Sequence, residues 1–170
     1  MVRWLAPILS FTAEEIWPHL PGQRAESVFF STWHAIPDAP ASPIDWSACI
    51  ALRTELAREL ERLREAGQIG GPLDAEVDVY CSEGEYARFT ALGDELRFAL
   101  IVSAARVHRV ASAPQDAVGA GRDGVWLRVQ PSSAIKCVRC WHRPGDVGSH
   151  GEHAELCGRC VVNITTAGET

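Results

Sequence analysis

Four cysteines near the end of the chain carry its clearest chemistry. Cys137-Val138-Arg139-Cys140 and Cys157-Gly158-Arg159-Cys160 are two Cys-x-x-Cys pairs separated by 16 residues. Each such pair forms a tight knuckle that aims two thiolates at one tetrahedral ion, which is the spacing of structural zinc. Four thiolates close the coordination shell and leave no open position for an activated water, so the single Zn2+ expected here is structural rather than catalytic. His142, His150 and His153 lie close in sequence, but the symmetry of the cysteine pairs assigns them to the surface or to positions behind the ligands. Cys49 and Cys81 fall on an apolar helical face and in an alternating strand, where each reads as a small buried hydrophobe.

The same stretch holds Lys136, Arg139, Arg143 and Arg159, partly offset by Asp146, Glu152 and Glu155. Arg139 sits inside the first knuckle and Trp141 directly follows it. A guanidinium and an indole ring presented from one rigid turn suit phosphate and unstacked bases. The competing reading is that Trp141 only covers the knuckle. With a formal charge of -6 the whole chain does not attract polyanions, so any nucleic-acid contact must be made by a local patch such as this one. No catalytic constellation accompanies it.

The elements that hold these residues differ in kind. From Lys136 to Asn163 the apolar side chains Val138, Trp141, Val147, Leu156, Val161 and Val162 are too few to order the segment, and zinc binding of about 10 to 16 kcal/mol must do so. Upstream, Cys49, Leu52, Leu56, Leu60 and Leu63 recur at helical spacing, with Glu55/Arg58, Glu59/Arg62 and Glu61/Arg64 as i,i+3 pairs. This predicts a long helix over 45–66, stopped by Gly67 and Gly70-Gly71-Pro72. Val77, Val79 and Cys81 alternate with Glu76, Asp78 and Tyr80, the period of a half-buried strand. Helical stretches over 83–92 and 94–102, a weak strand over 106–110, a surface loop over 113–124 and a strand through Val125, Leu127 and Val129 complete a small α+β unit.

The first 35 residues are very apolar. Trp4, Ile8, Phe11, Ile16 and Leu20 recur at roughly helical spacing, but Pro7 divides them into two short helices. Thr12-Ala13-Glu14-Glu15 has the form of a capping box, and Val28-Phe29-Phe30 reads as a short buried extended piece. These residues cannot cover one another, which points to a missing upstream partner or to cover from a later helix. The prolines and alanines between Ile36 and Pro43 mark a linker. Apolar content of 46% and charged content of 22% are those of a soluble globular protein, without a membrane-length apolar run. Paired cysteines at metal spacing belong to a reducing compartment, so the cytoplasm is expected.

Read in order, Leu5-Ala6-Pro7-Ile8-Leu9-Ser10-Phe11-Thr12-Ala13-Glu14-Glu15-Ile16-Trp17 and Val28-Phe29 before Trp33 resemble the end of the anticodon-binding bundle of class I aminoacyl-tRNA synthetases for branched aliphatic amino acids. Ile69-Gly70-Gly71-Pro72-Leu73-Asp74-Ala75, Leu92-Gly93-Asp94-Glu95-Leu96-Arg97-Phe98, Lys136-Cys137-Val138-Arg139-Cys140-Trp141 and Glu155-Leu156-Cys157-Gly158-Arg159-Cys160 look like the bacterial isoleucyl-tRNA synthetase C-terminus. Pro72 departs from the small or polar residue expected at its position.

The resemblance implies an α+β chain in four parts: the end of a helical anticodon-binding bundle (1–35), a linker (36–44), a small α+β domain (45–131) and a zinc-ribbon module (132–170). It implies a ligase that joins isoleucine to tRNA(Ile) with ATP and edits misattached valine, and this stretch would supply tRNA contacts on the anticodon side. Lys136, Arg139, Trp141, Arg143 and Arg159 are the candidate contacts, with Arg139 and Trp141 foremost. The family's His-Ile-Gly-His and Lys-Met-Ser-Lys-Ser type motifs are absent from these 170 residues, as is any candidate editing domain. ATP therefore belongs only to the full enzyme, catalysis to a missing N-terminal part, and this chain alone should be inactive.

Two alternatives are nucleic-acid-binding proteins in their own right. One is a free-standing tRNA-binding module acting in trans. The other is a DNA glycosylase, which ends in a similar finger but needs an N-terminal proline amine, whereas residue 2 here is Val. DNA and membranes are not expected partners.

Overall fold

The computed structural model describes residues 1–33, 38 and 41–165. Residues 36, 37, 39 and 40 of the linker expected over 36–44 therefore lie outside the described residues. Contacts divide the chain into two compact units, Met1–Ala41 and Ser42–Thr170.

In the first unit two short helices, α1 (Val2–Leu5) and α2 (Ser10–Ile16), flank Pro7 as its missing N–H requires. A small cluster of Ala6, Ala13, Trp17 and Val28 is buried between them and a later turn. The capping box does not form, because α2 starts two residues earlier than Thr12, after Leu9, and has no side-chain cap. Glu14 is used across the unit instead. Its Oε2 accepts from Ser27 Oγ at 2.9 Å and from Val28 N at 3.0 Å. Residues Val28–Phe30 form a 3₁₀ turn rather than an extended piece, started by Ser27 accepting from Phe29 N. Only Val28 is buried; Phe29 and Phe30 face outward, as do Ile8 and Phe11.

In the second unit the long helix α3 (Trp46–Glu65) follows its sequence signals closely. Asp45 caps it by accepting from Ala48 N at 3.0 Å, and the apolar stripe from Cys49 to Leu63 is buried. Gly67, at a φ of +70°, ends it, with Gly67 N donating to Arg64 O and Gln68 N to Leu63 O. That is a Schellman close, which needs the left-handed conformation glycine adopts freely.

The chain then builds β1 (Ala75–Cys81), α4 (Glu83–Thr90), α5 (Leu96–Leu100), β2 (Ala104–Arg109), β3 (Val118–Gly119) and β4 (Val125–Pro131). The sheet order is β2-β1-β4-β3, with β1 parallel to β2 and antiparallel to β4. Leu52, Leu56, Val77, Val79, Phe89, Leu96, Leu100 and Leu127 share one core.

Central strand β1 is not half-buried. Its inward residues are covered by the core, and its polar face is covered as well, with Asp78 4% and Tyr80 8% exposed. Arg128 donates to Asp78 Oδ2 at 3.0 Å, His108 Nε2 lies 2.7 Å from Asp78 Oδ1, and the His108 ring stacks on Tyr80. A buried carboxylate persists only when paired in this way. Strand β3 falls inside the stretch read from sequence as a loop; at two residues it has no period to detect.

Residues 132–165 fold against this unit and end in helix α6 (Gly158–Thr165). Their own buried cluster is only Cys137, Val147, Leu156, Cys157 and Cys160.

Candidate metal centre and nucleic-acid interface

The two cysteine knuckles converge. The Sγ atoms of Cys137, Cys140, Cys157 and Cys160 all lie within 4.8 Å of one another, and Cys140 Sγ is 3.7 Å from Cys157 Sγ. Thiolates about 2.3 Å from a tetrahedral zinc stand about 3.8 Å apart, so the cluster fits that ion. All four are free thiols, and all but the half-buried Cys140 are buried.

Backbone geometry prepares the thiolates. Burial alone would raise the Cys137 thiol, but the N–H groups of Cys140, Cys157 and Arg139 directed at it win and bring it down to about 6. Burial pushes Cys157 up to about 12 and also raises Cys140. Without metal these three thiols hold their protons unevenly, and zinc binding draws protons off its ligands. Arg139 Nη1 donates to Cys160 Sγ at 3.7 Å, offsetting charge on the centre. Bound zinc supplies cross-linking energy here and no reactive position.

His142, His150 and His153 lie outside the cluster. His142 Nδ1 is 3.2 Å from Cys140 O, and its ring meets Phe98 edge-on. His150 pairs with Asp146 at 3.3 Å. Cys49 and Cys81 are buried in the main core, where burial raises both thiols, Cys81 to about 11.

The five basic and aromatic positions singled out by sequence have unequal surroundings. Lys136, Arg139, Trp141 and Arg159 are exposed. Trp141 is held at a φ of +66°, a left-handed conformation that is an outlier for a bulky residue, and the residue is 61% exposed. Its N–H donates to Cys137 O at 2.9 Å, so the knuckle itself imposes that backbone. Lys136 Nζ stands 5.3 Å from the indole.

Arg143 is turned inward. Its Nε donates to Asp74 Oδ1 at 2.9 Å, its Nη1 to Ala134 O at 3.0 Å, and its backbone N to Ser103 Oγ at 2.7 Å. Asp74 in turn accepts from Gly70 N and Gly71 N, each at 3.1 Å. The Arg143 guanidinium, and after it those two amides, hold the Asp74 carboxyl below its ordinary range. The Gly70-to-Asp74 loop is thereby the socket that seats the zinc module.

Several residues that shape the site carry no local sequence signal. Asp74 and Ser103 receive Arg143 from about 70 and 40 positions away in sequence. Asp146 accepts from Gly158 N at 2.7 Å and so caps α6. A Cβ on Gly158 would come within 2.8 Å of that same carboxylate, which accounts for glycine inside the second knuckle.

Comparison with known proteins accords with this geometry. Residues 134–162 match the model of a zinc finger found in FPG and IleRS, and residues 1–79 that of the anticodon-binding domain of tRNA ligase. Isoleucine--tRNA ligase of Halorhodospira halophila is 52% identical over 99% of this chain and 19% of its own length. The Nitrosococcus oceani and Methylococcus capsulatus proteins of the same name are 50% and 47% identical, each over 99% of this chain and 18% of their own length. Over its length the chain is similar to the C-terminal region of bacterial isoleucine--tRNA ligase.

It spans about a fifth of the length of the curated relatives it matches. A match over 99% of this chain to isoleucine--tRNA ligases does not favour the glycosylase alternative, with which only the finger is shared. The four cysteines of the finger constitute a structural zinc site. Among the described residues, no helix is long and apolar enough to cross a membrane.

Proposed function

We propose that this chain is the tRNA-gripping C-terminal part of an isoleucine--tRNA ligase and that it works in the cytoplasm on the anticodon side of tRNA(Ile). Attachment of isoleucine with ATP and hydrolysis of misattached valine belong to the parts of the enzyme outside these residues. Residues 1–35 act as the end of the anticodon-binding bundle, 36–44 as a linker, 45–131 as the α+β support and 132–170 as the zinc-bearing contact module.

The observation that carries this reading is Trp141. A tryptophan 61% exposed, fixed in a left-handed turn by a metal knuckle, does not cover the zinc core. With Lys136 beside it and Arg139 in the same knuckle, it presents a stacking face next to cations, the combination that takes an unstacked base and its phosphate. Arg159 adds charge at the rim. Arg143, half-buried on Asp74, contributes chiefly by seating the module.

Arg139→Ala and Trp141→Ala variants of the zinc-loaded protein test it by tRNA(Ile) binding. Each should lose about tenfold in affinity with zinc content unchanged. Affinity equal to that of the parent in both variants would remove the knuckle from the interface.

A further inference from the structure

Two arginines converge beside the zinc module in a way the tRNA-gripping reading has not used. Arg97, on α5, and Arg159, at the start of α6, both lie over the ring of Phe98, with their Cζ atoms 4.4 Å and 4.6 Å from its centroid. Neither guanidinium has a carboxylate partner among the described residues. By contrast Arg88, Arg106, Arg109, Arg122, Arg128 and Arg143 are all ion-paired.

Both line a small cavity of about 80 Å³ at the seam between α5 and the zinc module, together with His142 and Asp146. The cavity adjoins a wider, more open cleft of about 350 Å³ that shares Arg97 and Asp146 and reaches Ser103 and Arg106. Asp146 also lines the cavity as a carboxylate whose Oδ2 accepts from Gly158 N and lies 3.3 Å from His150 Nε2; among the described residues it forms no ion pair with either arginine. The thiolates of Cys140 and Cys157 border the same cavity. Arg139 answers the thiolate cluster from Cys160, leaving the forked donors of Arg97 and Arg159 without oxygen acceptors.

Bringing two like charges onto one aromatic ring costs free energy unless an anion is shared between them. A guanidinium stacked on a ring keeps its edge donors free, and those donors match the oxygens of a phosphate. We propose that Arg97 and Arg159, both stacked on Phe98, clamp one backbone phosphate of the bound RNA at the seam between α5 and the zinc module. This rests on the reading that the chain grips tRNA. It extends the contact surface from the knuckle onto the α+β unit, through a residue outside the finger. A phosphodiester suits the site better than a base, because the cavity is narrow and its free donors are all cationic.

The test uses the zinc-loaded chain and a tRNA(Ile) transcript, titrated over a range of salt. Arg97→Gln and Arg159→Gln should each weaken binding about tenfold at low salt. Each should also reduce the slope of log affinity against log salt by about 0.7 to 0.9, the share of one phosphate. Arg53→Gln, the same charge change at an exposed position on α3, should do neither.

Ethylation interference supplies a readout that a purely structural role would leave alone. One phosphate whose ethylation weakens binding of the parent chain should become indifferent in both variants, with zinc content unchanged. Arg97→Lys, which keeps the charge but loses the fork, should retain part of the affinity, and it serves if the glutamine variant fails to hold zinc. Loss of binding in the Arg139 and Trp141 variants, with Arg97→Gln and Arg97→Lys indistinguishable from Arg53→Gln, overturns the clamp and leaves the knuckle reading standing. Absence of binding by the parent chain overturns both.

Discussion

The α+β support and the zinc module sit in one compact unit yet owe their order to different forces. The support packs leucines and valines from α3, α4, α5 and the sheet into one core, in which Leu56, Leu96, Val77, Val79 and Leu127 are 0% exposed. The zinc module buries three cysteines, one valine and one leucine, while Trp141 and Val138 point to solvent. The two regions divide the labour. A module that buries so little apolar surface must draw its stability from metal ligation and from a few fixed attachments to a neighbour that does have a core.

Breaking the metal centre should separate the two most sharply. Chelation of zinc, or Cys137→Ser, removes a stabilisation on the order of 10 kcal/mol from the module. Hydrogen exchange is expected to show complete loss of protection over 137–165 with protection retained in α3 and β1. A module that stays folded without metal would mean that its small cluster and its attachments suffice. The converse experiment is Leu56→Ala, expected to cost the support about 2 to 5 kcal/mol. Its melting temperature should fall while zinc stoichiometry, read at temperatures below the transition, stays at one per chain.

The two regions were also unequally legible in the sequence. The knuckle spacing and the long amphipathic helix are periodic signals, and both were read to within a residue or two. Failures came where a side chain serves a distant partner. Glu14 lies inside a stretch that reads as a capping box of Thr12 and Glu15, yet it holds Ser27 and Val28. Asp78 looks like the wet face of a strand, yet it is buried under Arg128 and His108, because two neighbouring strands supply its charge partners. Arg143 looks like part of the basic patch but is the module's main tie to Asp74. No local pattern encodes such a pairing. The converging Arg97 and Arg159 were hidden for the same reason.

That tie provides a milder way to probe the comparison. Asp74→Asn leaves a hydrogen-bonding side chain but removes the charge that meets Arg143, at an expected cost of about 1 to 3 kcal/mol. The effect should appear as faster exchange around Ser103 and Ala134 with zinc retained. Acid should imitate it. The folded carboxyl lies below its free value near 3.9, so its contribution is fully present above that value and fades as pH falls through the lower folded one. Asp74→Asn should flatten that part of the stability profile below about pH 4; a profile identical to the parent's would show that Asp74 does not couple the regions.

The smallest effect expected is also the one that sets stability against function. Trp141→Gly replaces a bulky residue at a φ of +66° with the one residue that adopts such a conformation without strain. Relief of about 1 to 2 kcal/mol opposes loss of the exposed contact with Lys136, about 0.5 to 1 kcal/mol. The module should therefore become slightly harder to strip of zinc, by up to about 1 kcal/mol, while its affinity for tRNA falls. A metal knuckle that gains stability when its tryptophan is removed has that tryptophan for a purpose other than folding. A variant that instead releases zinc more readily would make Trp141 a lid over the knuckle, and the difference drawn between a core that folds and a surface that binds would shrink accordingly.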